Sequence, residues 1–417
     1  MTVGISTDPA PVAALEDAAS AIASARRAAL ADRYAANSLA VEWRPLTRLE
    51  PIVSQWRELA ARALEPNVFY EPAFALAAAP VFGADAGAIL IWSGGKARRL
   101  LGFFPARIER RRYGINLPVL SGWTHPYAPL GLPLVEREAA EPIIGKFLAH
   151  LATDPTLPGL VLLPYLPGDG AFAGALDAIL RRAQMPATAF GSHQRAQLAP
   201  AGERSQYLVS AMSRHQRKEL RRQWRRLAET GAIAITIATE PPAIDRALED
   251  FFRLEAQGWK GKAGTAAAAD EKVQRFVRNA LFKLAAEQKV SINRLLVDGR
   301  AIAATIALRS GRSAWFWKIA YDEGFARFSP GVMLSVELTA DLLDDANVQR
   351  ADSCATADHP MIDHLWRERL SLSNRLIAAR GGRTAFAVAS RLEGMRAGAL
   401  ERAKRLRGLL QGTGAFR

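Results

Sequence analysis

The sequence is short of three things, and each shortage excludes something. Cys354 is the single cysteine among 417 residues. An internal disulfide is therefore excluded, and the chain suits a reducing compartment. No apolar run reaches the roughly 20 residues that a bilayer-spanning helix requires. Acid is also scarce, with 41 Asp and Glu against 55 Lys and Arg, a formal net charge of +14. That surplus points to an anionic partner such as nucleotide phosphates, RNA or an anionic membrane surface, while arginine spread over many surfaces would serve solubility alone. Residues 1–38 are rich in Ala but interrupted by Asp8, Glu16 and Asp17. They have no basic start before an apolar stretch, so they read as a loose leader rather than a secretory signal, and a cytoplasmic location is expected.

What is present is enough apolar residue, 49% of the chain, to fill the cores of two or three domains. Strand and helix signals alternate. A strand at 41–45 and a helix at 50–64 precede a hairpin over 88–109, turning at Gly94-Gly95. A loop rich in Pro, Gly and aromatics (122–134) leads to a helix at 136–152, a strand over 157–166, a helix at 170–185 and a strand near 187–198. The second half opens with a helix at 205–229, then a strand at 232–238 and helices at 242–256 and 270–288. Turns at Asp298-Gly299 and Ser310-Gly311 make 291–321 a three-stranded meander. A helix then starts at Pro330-Gly331, followed by a strand near 348–354, a short helix at 361–369 and a basic C-terminal helix. Each half has a hairpin, a Pro/Gly loop, a helix and a further strand. This predicts two mixed α/β domains of similar plan, over 39–200 and 201–380, with the leader at 1–38 and the basic helix in 381–417.

The Pro330-Gly331 start is the most suggestive short feature. Proline suits a first helical position, where its missing N–H costs nothing. Unpaired N–H groups at a helix N-terminus, with Arg327 just ahead, also suit a phosphate.

Several stretches in order, SRHQRKELRRQWRRLAETG, FFRLEAQGWKGKAGTA, LLVDGRAIAATIALRSG and YDEGFARFSPGVML, resemble the CelD/BcsL-type acetyltransferase domain. That is a branch of the GNAT superfamily related to the FemAB-like transferases. HPYAPLGLPLV and DSCATADHPMIDHLWRERL resemble it too. The resemblance implies a GNAT-like mixed sheet flanked by helices, often in two tandem copies, here with the first degenerate. It implies an acetyl-CoA or other acyl-CoA donor lying along a splayed strand, taken as lying within 301–309, with its pyrophosphate at the start of the next helix. The donor-binding residues would be Arg327, Ser329, Gly331, Val332 and Met333. The loop differs in spacing from the usual Arg/Gln-x-x-Gly-x-Gly/Ala and lacks its second glycine, matching instead a Ser-Pro-Gly form of CelD- and Fem-like proteins.

Acylation of an amine needs a base for its proton and donors for the oxyanion. The residues preferred for proton transfer are Asp352, at the end of the strand after the Pro-Gly helix, and His359, with Tyr321 as the acid for the leaving thiolate. Glu255 and Trp259 flank a helix end nearby. Cys354, Asp358, His359, Asp363 and His364 fit no structural zinc spacing, so no metal is expected. On 205–229 the cations Arg214, Arg217, Lys218, Arg221, Arg222, Arg225 and Arg226 form a ridge opposite Leu220, Trp224 and Leu227. The ridge would suit CoA, RNA or lipid phosphates. The C-terminal segment 390–410 pairs an apolar stripe with cations, fit either to cover the core or to meet an anionic membrane. The expectation is a GNAT N-acyltransferase acting on a sugar, polysaccharide precursor or small metabolite, linked to cellulose or exopolysaccharide production. The alternatives are a Fem-like transferase using aminoacyl-tRNA and a non-catalytic subunit bound at a membrane.

Overall fold

The computed structural model describes residues 39–94 and 98–412. The leader expected over 1–38 and Gly95 of the first hairpin turn lie outside them. Apolar alternation bounded by turn residues gives the strands β1 (Ala40–Pro45), β2 (Ala86–Trp92), β3 (Leu100–Glu109), β4 (Val119–Gly122), β5 (Leu134–Val135), β6 (Leu160–Pro167) and β7 (Ala187–Leu198). The second half adds β8 (Ile233–Ala238), β9 (Val290–Val297), β10 (Arg300–Ser310), β11 (Ser313–Tyr321), β12 (Arg350–Asp352) and β13 (Glu368–Ala378). The helices are α1 (Val53–Arg62), α2 (Pro72–Phe82), α3 (Ala140–Thr153), α4 (Ala171–Arg182), α5 (Tyr207–Ala211) and α6 (Arg214–Ala228), then α7 (Pro241–Gln257), α8 (Trp259–Lys262), α9 (Glu271–Ala286), α10 (Pro330–Asp344), α11 (Ile362–Leu365) and α12 (Arg383–Gly412).

All the strands join one mixed sheet in the order β1-β2-β3-β4-β6-β13-β7-β12-β11-β10-β9-β8, with β5 on β3. Only two contacts between named strands are parallel, β4 with β6 and β11 with β12. In each case the intervening stretch carries a long helix, α3 or α10, as a parallel crossover requires. The two halves thus repeat one plan. The meander β9–β11 turns where its residues dictate: Asp298 and Gly299 have φ of 49° and 77°, the double positive φ of a two-residue hairpin. Along β11 successive side chains part to opposite faces. Trp315 and Trp317 enter a core shared with α2, α7 and α9, while Ala314 and Phe316 pack under α10 against Leu338 and Leu342.

The structure corrects two predicted elements. The short helix expected over 361–369 is a single turn, α11, and residues 368–378 form β13, inserted between β6 and β7. A segment from the end of the chain therefore closes the sheet of the first half. The helix expected over 205–229 is broken at Met212 and Ser213. Ser213 caps α6: its side chain accepts from Gln216 N–H at 3.1 Å, and the Gln216 side chain accepts from Ser213 N–H at 2.8 Å. This reciprocal box fixes the new helix start. We expect Ser213→Ala to lower stability by about 1 kcal/mol, read from urea denaturation midpoints.

The break also reassigns Arg217. It is half-buried and donates to Met212 O at 2.9 Å and to Val209 O, tying α5 to α6 rather than joining the ridge. Arg214, Lys218, Arg221, Arg222, Arg225 and Arg226 remain exposed. Opposite them Leu220, Trp224 and Leu227 pack on Phe325, Phe328, Met333 and Leu334. The helix thus stands over the turn that leads into α10, with the basic ridge on its outer face.

Candidate active site

The site begins with a flaw in a ladder. Ile306 of β10 faces Lys318 while Ala307 faces Phe316, so Trp317 is an extra residue on β11. Such a bulge bends its strand and increases its twist. On its other side β11 pairs with β12 only at Ser313, Ala314 and Trp315. Beyond them β12 turns away, with Cys354 at φ 52°, and β11 has no ladder partner on that side from Phe316 to Tyr321. The strands splay, leaving an edge whose main-chain groups are open to a ligand. The loop 122–134 braces the bend: Trp317 Nε1 donates to Tyr127 O at 2.8 Å, and Lys318 Nζ lies 4.1 Å from the Tyr127 ring centre. The splayed strand is therefore β11, not 301–309, which lies within β10 and is paired on both sides.

The end of β11 opens on a cleft of about 450 Å³ between the end of α7, the start of α10 and the loop 359–361. Its walls include Glu255, Tyr321, Glu323, Ser329, Gly331, Val332 and His359. The start of α10 is unusual. A serine before a helix commonly caps it by accepting from the second or third helical N–H. Ser329 instead sits in the left-handed region at φ 54° and makes no side-chain cap bond. Pro330 has no N–H to satisfy, and Met333 N–H already donates to Ser329 O at 3.1 Å. The N–H groups of Gly331 and Val332 have no hydrogen-bond partner among the described residues. Two donors and the positive end of a 15-residue helix thus face the cleft, an arrangement that suits a phosphate. A side chain at 331 would start 3.3 Å from the Tyr321 ring and 3.4 Å from Ile319, so glycine keeps this wall thin.

The structure brings together Tyr321, Ser329, Gly331, Val332 and His359 of the residues singled out in sequence. Arg327 lies on the exposed turn before the helix, its guanidinium 4.7 Å over the Phe328 ring, and does not line the cleft. Met333 is buried in the core under α6, and its N–H is used within the helix, so it is not a donor to a ligand.

Asp352 is elsewhere. It is 6% exposed, lies beside a separate cavity of about 120 Å³, and is fully engaged. One carboxylate oxygen pairs with Arg195, and the other accepts from Cys354 N–H at 2.9 Å. Burial works against the Arg195 charge, yet the Asp352 carboxylate holds its pKa above the ordinary value. Cys354 keeps some exposed surface as a residue, but its thiol is enclosed. Burial first, then Asp352, push that thiol well up, which disfavours the thiolate a nucleophile needs. Among the described residues no group of three His, Cys, Asp or Glu side chains is placed to hold a metal ion.

Glu255 gains the importance that Asp352 loses. It sits near the end of α7, 4% exposed, with Oε2 accepting from Ala267 N–H at 2.8 Å. The loop at 266–269 thus orients a buried carboxylate toward the cleft. Its place in FFRLEAQGW, just before a glycine, marked it only as flanking a helix end. His359 Nδ1 stands 3.4 Å from Met361 N–H, a long contact in which the ring accepts.

The matching position of the first half lacks these features. There α3 starts without a Pro-Gly pair, and Glu138 and Glu141 stand in the first turns of its entry. Carboxylates at that point oppose a phosphate.

Residues 214–359 match the model of the acetyltransferase (GNAT) domain. No curated protein matches the chain. Among solved structures, the C-terminal domain of a protein described as a lysylphosphatidylglycerol synthetase, from Agrobacterium fabrum, superimposes with a TM-score of 0.50 at 10% identity, over 81% of this chain and 94% of that one. FemX gives 0.49 at 8% identity, over 78% and 95%. A conserved protein of unknown function from Bacteroides thetaiotaomicron gives 0.47 at 12%, over 81% and 100%.

Proposed function

We propose that the chain is an acyltransferase of the GNAT superfamily that binds one acyl-CoA donor in the second half and transfers the acyl group to an amine or hydroxyl acceptor. The observation that carries the reading is the pair of N–H groups at Gly331 and Val332, left without partners by the conformation of Ser329, at the mouth of the β11–β12 splay. In this reading those two groups hold a donor phosphate. The unpaired edge of β11 offers main-chain donors and acceptors to the rest of the molecule, as an added strand would use them. Bound acyl-CoA supplies an activated thioester carbonyl. Glu255 takes the proton of the acceptor, the Tyr321 hydroxyl holds a proton for the departing sulfur, and His359, on the cleft wall, helps to orient the reacting groups. The acceptor is a sugar, a polysaccharide precursor or a small metabolite, as for a CelD-type enzyme linked to exopolysaccharide production. The first half, 39–200, is a GNAT-like unit without a donor site, and the second, 201–380, is the catalytic unit, with β13 exchanged into the first.

A second reading follows from α6. Its exposed cations lie on the outer face of the helix that covers the turn before α10, where they would meet the backbone of an aminoacyl-tRNA as readily as the phosphates of CoA. Binding through them would weaken steeply with salt if the donor were tRNA.

The test of the proton acceptor is Glu255→Gln, assayed by release of CoA thiol from acetyl-CoA with amine and sugar acceptors. We expect kcat to fall about a hundredfold with donor affinity unchanged, since general-base groups typically contribute that much or more. Unchanged turnover would remove Glu255 from the mechanism. An absence of thiol release by the wild-type chain, with aminoacyl-tRNA consumed instead, would favour the second reading.

A further inference from the structure

The C-terminal helix α12 covers the sheet with one face and leaves a second set of apolar side chains exposed on the other. Its inner face rests on β7 and β13 through Phe386 and Ala389, next to Phe190 and Leu376. It also carries Glu393 inward, 3% exposed. There Arg112 holds it with two hydrogen bonds, Nε to Oε2 and Nη2 to Oε1, both 2.9 Å. Burial alone would raise the Glu393 pKa, but the Arg112 guanidinium holds it below the ordinary carboxylate value. This bidentate pair clamps the helix to the connection between β3 and β4. Other apolar side chains point the other way. Val388 is 41% and Met395 66% exposed. They lie seven residues apart, two turns along one face, and Ala399 continues the line. Leu400, on the side of Glu393 and Phe386 by helical spacing, is still 53% exposed, so the helix runs on past the body it packs against. Arg383, Arg391, Arg396 and Arg402 are exposed along the same helix. The helix sequence carries two carboxylates, Glu401 and Glu393, and Glu393 is turned inward. The clamped connection adds exposed Arg110 and Arg111, and Ile115 at 49% exposure.

We propose that this surface, α12 with the 110–115 tip, seats the protein on an anionic lipid bilayer. Cations alone would suit any polyanion. The interleaved apolar side chains choose a bilayer, which offers anionic head groups and an apolar phase beneath them, where a nucleic acid offers only the first. The attachment is peripheral, since no helix among the described residues is long and apolar enough to cross a membrane. It is independent of the acyl-transfer site, which is built from other elements.

The test is co-sedimentation of the full chain with vesicles. Vesicles of phosphatidylglycerol and phosphatidylcholine should bind it, and phosphatidylcholine alone should not. Binding should fall as salt rises. Replacing Val388 and Met395 together by Glu, or Arg391 and Arg402 together by Glu, should lower the bound fraction at least about tenfold, with circular dichroism and melting temperature unchanged because these side chains are exposed. Equal binding to both vesicle types, no binding to either, or variants that bind as wild type would each overturn the proposal. So would a dimer in solution that Met395→Glu dissociates, which would show a second copy on this face.

Discussion

Gly331→Glu is expected to abolish donor binding while leaving the fold intact. The new carboxylate would stand at the first turn of α10, where Gly331 and Val332 now present N–H groups to the cleft. Two like charges about 4 Å apart near a protein surface repel by about 4 kcal/mol, or about a thousandfold in Kd. The same carboxylate is favourable to the helix, since acids near an N-terminus interact well with its dipole. Its Cβ would come nearest the side chains of Tyr321 and Ile319, at 3.3 and 3.4 Å, which a shift of a few tenths of an ångström in those side chains accommodates. Stability should therefore stay close to wild type. Calorimetric titration with acetyl-CoA, beside a thermal melt without ligand, separates the two effects. A variant that melts normally and still binds would remove the helix start from the site.

Asp352→Ala is expected to act in the opposite way, on stability and not on chemistry. Removing the carboxylate leaves the Arg195 guanidinium buried, with one remaining bond to Pro129 O at 3.1 Å. Breaking one side of a buried pair typically costs about 3–5 kcal/mol. It also frees Cys354 N–H, which now holds the turn where β12 leaves β11. Asp352→Asn, whose single amide oxygen can accept one of the two hydrogen bonds but not both, should still cost less than Ala. Urea denaturation measures both. Turnover per folded molecule should stay within about threefold of wild type, because Asp352 does not reach the cleft where proton transfer is proposed. An Asn variant of normal stability with turnover reduced about tenfold or more would restore Asp352 as the base.

The parts of the fold legible in the sequence are those fixed by neighbouring residues. Asp298-Gly299 sets the β9–β10 turn by itself, and Pro330 with the apolar spacing after it sets the start of α10. What escaped depends on partners far along the chain. The strand β13 reads ERLSLSNRLIA, with Leu370, Leu372 and Leu376 spaced by twos. The polar residues between them and the short helical run before them hid the alternation. Its partners, residues 160–167 and 187–198, are nearly two hundred positions away. The break at Met212 and Ser213 had a local signal, Ser213 three before Gln216, overshadowed by the dense helix-forming Arg and Lys around it. The candidate site divides in the same way. Gly331 and Val332 follow from the Pro-Gly start. Asp352 looked available because Arg195, 157 residues earlier, cannot be paired with it by pattern. The bulge at Trp317 depends on the register of β10 and on the loop that carries Tyr127, neither of which composition reveals. Met333 was one position too far into the helix: its N–H closes the first backbone bond and its side chain faces α6.

The most direct test of the central claim is the stoichiometry of acetyl-CoA binding to the intact chain, measured by calorimetric titration. The two halves share one plan, but the second starts its helix with a Pro-Gly pair on the wall of the 450 Å³ cleft, while the first places Glu138 and Glu141 at the corresponding entry. The account predicts one equivalent bound per chain, lost in Gly331→Glu and kept in Asp352→Asn. Two equivalents, or one that survives Gly331→Glu, or no binding of acetyl-CoA and other acyl-CoAs at millimolar concentration, would contradict it.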